Sequence, residues 1–133
     1  MTRAFLDTVG LLALWDSTDQ WHEYAEEAFQ RLAEVGATLT TTTFVLLECG
    51  NAAARRPYRG AVDSLRDELD RAGLLVRPTD EDWALAWEAY RLGGAASPGI
   101  VDHVSFRVMR RLGLTDAFTN DKHFRAAGFH TLF

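Results

Sequence analysis

Four carboxylates stand inside or beside apolar stretches rather than on charged faces: Asp7 in RAFLDTVGLLALW, Glu48 in TTFVLLECGNAA, Asp102 in SPGIVDHVSF and Asp121 in DAFTNDKHF. An ionised carboxylate leaves water at a cost unless it is paired or bound to a metal. Gathered in one crevice, four of them cannot all stay charged alone. Two unit charges about 4 Å apart repel by about 4 kcal/mol at an effective dielectric near 20, and a quartet multiplies the pairs. Either some take up protons or a cation sits among them. An all-oxygen donor set, with no Cys/His cluster at zinc spacing, selects a hard ion such as Mg²⁺ or Mn²⁺. Mg²⁺ commonly bridges to substrate phosphate, so the chemistry implied is attack on a phosphodiester.

Taken singly, each acid has a second reading. Asp7 at a strand end and Asp121 before KHF are both placed to cap a following helix. Glu48 could point outward from an amphipathic helix, and Asp102 lies one position past the stripe of Val101, Val104 and Val108. His103 reads as a proton donor to a leaving oxygen or as a packed or surface histidine. Cys49 is next to Glu48 but faces another side of the helix, as a core thiol would. No Ser/His/Asp nucleophile arrangement is evident.

The elements that must position these groups alternate. Residues 3–7 read as a buried strand, 8–15 as a helix, and 19–35 as a helix with Trp21, Ala25, Ala28 and Leu32 on one face. Thr38–Thr41 is β-branched and reads as a strand. Thr43 can cap a helix running to about Arg56, where Pro57 ends it. A helix over 58–72 closes at Gly73, and Leu74–Arg77 forms a third strand. Thr79 with Asp82 resembles a capping box for a helix carrying Trp83, Trp87 and Tyr90. A helix over 99–112, a strand at Ala117–Thr119, a short helix at 121–127 and a strand at Phe129–Leu132 complete the chain. This order argues for an α/β fold, a parallel sheet with helices on both faces. Ligands in such sheets bind at the carboxyl ends of the strands, where Asp7 and Asp121 fall.

The 133 residues, 47% of them hydrophobic, suit one compact domain spanning 1–133 with a single core, and no linker or repeat divides them. A net charge of −5 speaks against a protein that coats nucleic acid generically. It leaves a nuclease open, because a metal site needs acids and supplies its own positive charge. The single cysteine rules out an intrachain disulfide and fits a reducing interior. The opening MTRAFLDTVGLLALWD is interrupted by Asp7 and too short to cross a membrane, so a soluble cytoplasmic protein is expected.

The run of strand-Asp7-Thr8, helix-Glu48, helix-Asp102 and Thr119-x-Asp121-x-x-Phe124 resembles the PIN-domain ribonucleases, VapC-type toxins of bacterial toxin–antitoxin pairs above all. The resemblance covers essentially the whole chain. It implies a five-stranded parallel sheet, divalent-metal-dependent RNA cleavage, a homodimer, and a cognate antitoxin lying over the active-site groove. It makes Asp7 and Asp102 the principal metal ligands, with Glu48 and Asp121 completing the pocket directly or through water. Thr8, Thr119 and Asn120 would orient the carboxylates, and Asn51, one turn after Glu48, would join them. His103 departs from the small residue usual after the third acid. The mechanism implied is hydrolysis by a metal-activated water, which Asp121 helps to position or deprotonate.

Arg107, Arg110 and Arg111 follow Asp102 on its helix, and Arg55, Arg56 and Arg59 follow Glu48. They suit RNA phosphates, or equally a helix C-terminus. The Trp21/Tyr24 and Trp83/Trp87/Tyr90 stripes suit an antitoxin helix or ordinary core, and at most one is expected to be exposed. Rival readings are a housekeeping or DNA-directed nuclease with the same metal site, and a non-catalytic PIN-like RNA-binding module. A phospho-acceptor receiver is set aside for want of paired acids after the first strand and a mid-sheet acceptor.

Overall fold

The computed structural model describes residues 2–133. Five strands form the sheet: β1 (Arg3–Leu6), β2 (Thr38–Thr42), β3 (Leu75–Val76), β4 (Asp116–Phe118) and β5 (His130–Thr131). Their order across the sheet is β3-β2-β1-β4-β5, and every pairing is parallel. β1 is central, with Phe5 opposite Thr40 on one side and Ala117 on the other. Ala4, Phe5 and Leu6 are wholly buried, as a parallel strand covered on both faces requires.

Seven helices connect the strands: α1 (Thr8–Trp15), α2 (His22–Glu34), α3 (Thr43–Ala52), α4 (Arg59–Arg71), α5 (Asp80–Leu92), α6 (Ile100–Leu112) and α7 (Lys122–Ala126). The chain steps outward from β1 to β3, then returns to β4 on the far side of β1. With right-handed crossovers, that reversal puts the connections before β3 on one face and those after it on the other. The strand order switches between β1 and β4, where open α/β sheets bind ligands.

Two local contacts fix the helices that frame this edge. Gly10 in α1 lies so close to β4 that a Cβ there would fall 2.0 Å from the Phe118 carbonyl oxygen. At the start of α5, Thr79 and Asp82 form a reciprocal capping box. The Asp82 carboxylate, buried, also receives Arg111 of α6 at 2.7 Å, tying α5 to α6.

Boundaries differ from the sequence expectation in a few places. α3 stops at Ala52 rather than near Arg56, because the residue before Pro57 disfavours helix and Arg56 N–H turns back to Ala53 O at 3.0 Å. Its cap is Thr42, whose hydroxyl accepts from Val45 N–H, not Thr43. α2 begins at His22 rather than 19, since the Asp19 carboxylate accepts from Trp21 N–H at 2.7 Å and holds a turn there.

Candidate metal centre

Asp7 directly follows β1, and the residue is 1% exposed. Although Asp7 is the N-cap residue of α1, its carboxylate makes no capping bond. It accepts from the buried Thr119 hydroxyl at 2.8 Å, just past the end of β4. The same hydroxyl accepts from Asp121 N–H at 3.1 Å. One threonine therefore pins the first acid to the turn carrying the fourth. Asp121 does cap α7, accepting from His123 N–H at 2.9 Å, and still faces the other acids. Glu48 is solvent-exposed, with Thr8 donating its hydroxyl to Oε1 at 2.6 Å. Asp102 lies half-buried in the first turn of α6, and α3 and α6 touch.

The electrostatics tie the four together. Burial, then the Asp102 carboxylate, pushes Asp7 from 3.8 up to about 7, with Asp121 adding and the Thr119 hydrogen bond opposing. Burial, then Asp121 and Glu48, pushes Asp102 up to about 6, with His123 opposing. Every member of the quartet thus lies in the field of at least one other. Acids that keep part of their protons at neutral pH for this reason are the donor set a cation would satisfy. Ligand atoms of Asp102, Asp121 and His123 lie within 4.8 Å of one another. These three could hold a divalent ion; Asp7 and Glu48 lie outside that close group.

His123 escaped the sequence reading. D-K-H-F reads as a helix start, and the only signal was a histidine two positions past an acid. The other residues singled out are placed as follows. Asn51 is exposed and lines a groove between α3 and α4 whose lining includes none of the four acids. Asn120 makes no side-chain hydrogen bond among the described residues. Arg111 is held by Asp82, and Arg110 donates to Ala127 O at 3.0 Å while covering the Phe106 and Phe129 rings. Arg107 has its Nε buried without a partner. Arg56 pairs with Asp16 at 2.9 Å and Arg59 donates to Ala54 O at 2.7 Å. His103 sits edge-on to Phe106, and burial, with Arg110, holds its pKa below the usual value, so it packs as a neutral ring. Cys49 is fully buried, and burial, with Asp7 and Glu48, pushes its thiol up to about 12. The expectation that at most one aromatic stripe is exposed is wrong: Trp21 and Tyr24 are 42% and 57% exposed, Trp83 and Tyr90 50% and 46%. Helical spacing tells which aromatics share a face, not what covers it.

The PIN-domain family profile matches residues 4–130. No curated protein matches the chain. Among solved structures, the chain is similar to Mycobacterium tuberculosis VapC20, a sarcin–ricin loop cleaving toxin, with 28% identity, TM-score 0.75 and 95% of each chain covered. It shares its fold with FitAB bound to an IR36 DNA fragment, at 14% identity and TM-score 0.63, covering 96% of this chain and 92% of the other. FitAcB from Neisseria gonorrhoeae gives the same identity and TM-score, with 96% and 95% covered. Among the described residues, no helix is long and apolar enough to cross a membrane.

Proposed function

The chain belongs to the PIN-domain family, and from that premise we propose a divalent-metal-dependent endoribonuclease, the toxin of a VapBC-type toxin–antitoxin pair. One observation carries this: burial, then the field of neighbouring carboxylates, pushes Asp7 to about 7 and Asp102 to about 6, with Asp102 and Asp121 acting on Asp7 and Asp121 and Glu48 acting on Asp102. The likeness over 95% of each chain to a toxin that cleaves the sarcin–ricin loop supports RNA as substrate.

Asp7 and Asp102 would be the principal holders of the ion, with Glu48 and Asp121 beside them. An ion held by these residues would supply an activated water and positive charge opposite the phosphate. Thr119 fixes the Asp7 carboxylate at 2.8 Å, and Thr8 fixes Glu48 at 2.6 Å, so neither reorients as phosphate approaches. Asp121 orients or deprotonates the attacking water. Of the three arginines after Asp102, Arg107 alone is free of a hydrogen-bonded partner among the described residues and is the one that would reach RNA phosphate.

Two partners follow. A cognate antitoxin over the groove would neutralise the acids with a cationic side chain, in place of the metal. A homodimer would cover the Phe44–Trp83–Trp87–Tyr90 ladder, whose rings meet edge to face at 6.0, 5.8 and 5.1 Å.

The test is purified protein on a mixed RNA pool and a sarcin–ricin loop oligonucleotide, with Mg²⁺ or Mn²⁺. Cleavage is expected, and is expected to stop with EDTA or in Asp7→Asn. Cleavage that survives either control defeats the mechanism. Cleavage of DNA alone favours a DNA-directed nuclease, and binding without cleavage favours a non-catalytic module.

A further inference from the structure

Among the described residues, His123 is the one nitrogen ligand grouped with the acids, and its geometry is specific. The ring is half-buried at the start of α7, with Nε2 3.1 Å from the carbonyl oxygen of Ala96 in the α5–α6 connection. A carbonyl oxygen only accepts, so this nitrogen carries the hydrogen. In the neutral ring Nδ1 then presents a lone pair, 3.0 Å from Asp121 Oδ1. Two acceptors at that distance repel unless positive charge lies between or beside them. Donors bound at right angles to one ion at about 2.1 Å lie about 3.0 Å apart, so the observed spacing is that of neighbouring ligands. Histidines that bind metals commonly donate their other N–H to a carbonyl or carboxylate, which sets tautomer and ring orientation. Ala96 O fills that outer position here.

We propose that His123 Nδ1 is a ligand of the divalent ion, so that this site takes Mn²⁺ in preference to Mg²⁺. The inference rests on the cation site proposed above and adds its metal selectivity. An oxygen-only pocket has little reason to prefer either ion. Imidazole nitrogen suits first-row transition ions, whereas Mg²⁺ favours oxygen donors and water. The bland alternative at the same distance is an ion pair between a protonated His123 and Asp121, with no role toward metal.

Pulsed EPR of the full-length protein loaded with Mn²⁺ separates these. Wild type is expected to show nitrogen-14 coupling from a directly bound imidazole, lost in His123→Gln and retained in His103→Gln. Calorimetric titration with each ion alone should give tighter binding of Mn²⁺ than Mg²⁺. In His123→Gln, Mn²⁺ affinity should fall by about tenfold or more, on the scale seen when ligand support is removed, with Mg²⁺ affinity little changed. Mn²⁺ that binds wild type and is lost in Asp102→Asn, yet shows no nitrogen coupling, overturns the histidine ligand and leaves the acid site intact. Failure of wild type to bind either ion overturns the acid site as well. The wild-type spectrum decides the matter even where a variant folds poorly.

Discussion

Asp7 shows how far one residue's environment sets behaviour. Its carboxyl rises from 3.8 in the open chain to about 7 in the fold, from burial first and Asp102 second. Between these values the folded protein binds more protons than the unfolded chain, so without metal its stability falls as pH rises from about 4 to about 7. The full span is worth on the order of 4 kcal/mol. Metal-free Asp7→Asn is therefore expected to melt higher than wild type at pH 8, with the gap closing by pH 4; thermal unfolding followed by circular dichroism reads both. A gap independent of pH would mean that Asp7 is not held in a strained charged state. Added Mn²⁺ should raise the wild-type melting temperature at pH 8 and leave the variant nearly unmoved.

At the scale of elements, the edge that carries the site depends on α1 seated against β4 and α5 clamped to α6. Gly10→Ala forces a methyl onto the Phe118 carbonyl and should cost about 3 kcal/mol in chemical denaturation, with loss of activity through displaced Asp7. Asp82 is buried; burial raises its carboxyl, but bonds from Arg111 and Thr79 outweigh this and hold it below the usual range. Arg111→Ala strips that partner and should destabilise by about 3 kcal/mol, read from denaturant midpoints. Asp7 was readable at a carboxyl edge because the apolar run Ala4–Leu6 breaks off there, and it does directly follow β1. The alternation of strands and helices then supplied the sheet. What the sequence concealed lay in distant partners. Arg110 and Arg111 read as RNA-phosphate contacts or helix C-terminal charges, because their partners Ala127 and Asp82 are 17 and 29 residues away. His123 read as part of a helix start because only the fold sets the Ala96 carbonyl opposite its ring.

For the whole molecule, a chain of net charge −5 that acts on RNA, as proposed, would gain from a bound cation that reverses the field over the acids. The exposed Trp83 and Tyr90, seven residues apart on one side of α5, leave an apolar face uncovered in one copy. Sedimentation velocity should find a dimer for wild type and a monomer for Trp83→Glu; a wild-type monomer at tens of micromolar would remove this face as the dimer contact. Whether Asp7, Glu48, Asp102 and Asp121 gather to hold one ion can be seen by anomalous diffraction from crystals grown with Mn²⁺. A peak bounded by Asp7, Glu48, Asp102 and Asp121 is the expected result. A map with no peak among these four at saturating Mn²⁺, from protein that still cleaves RNA, would contradict it.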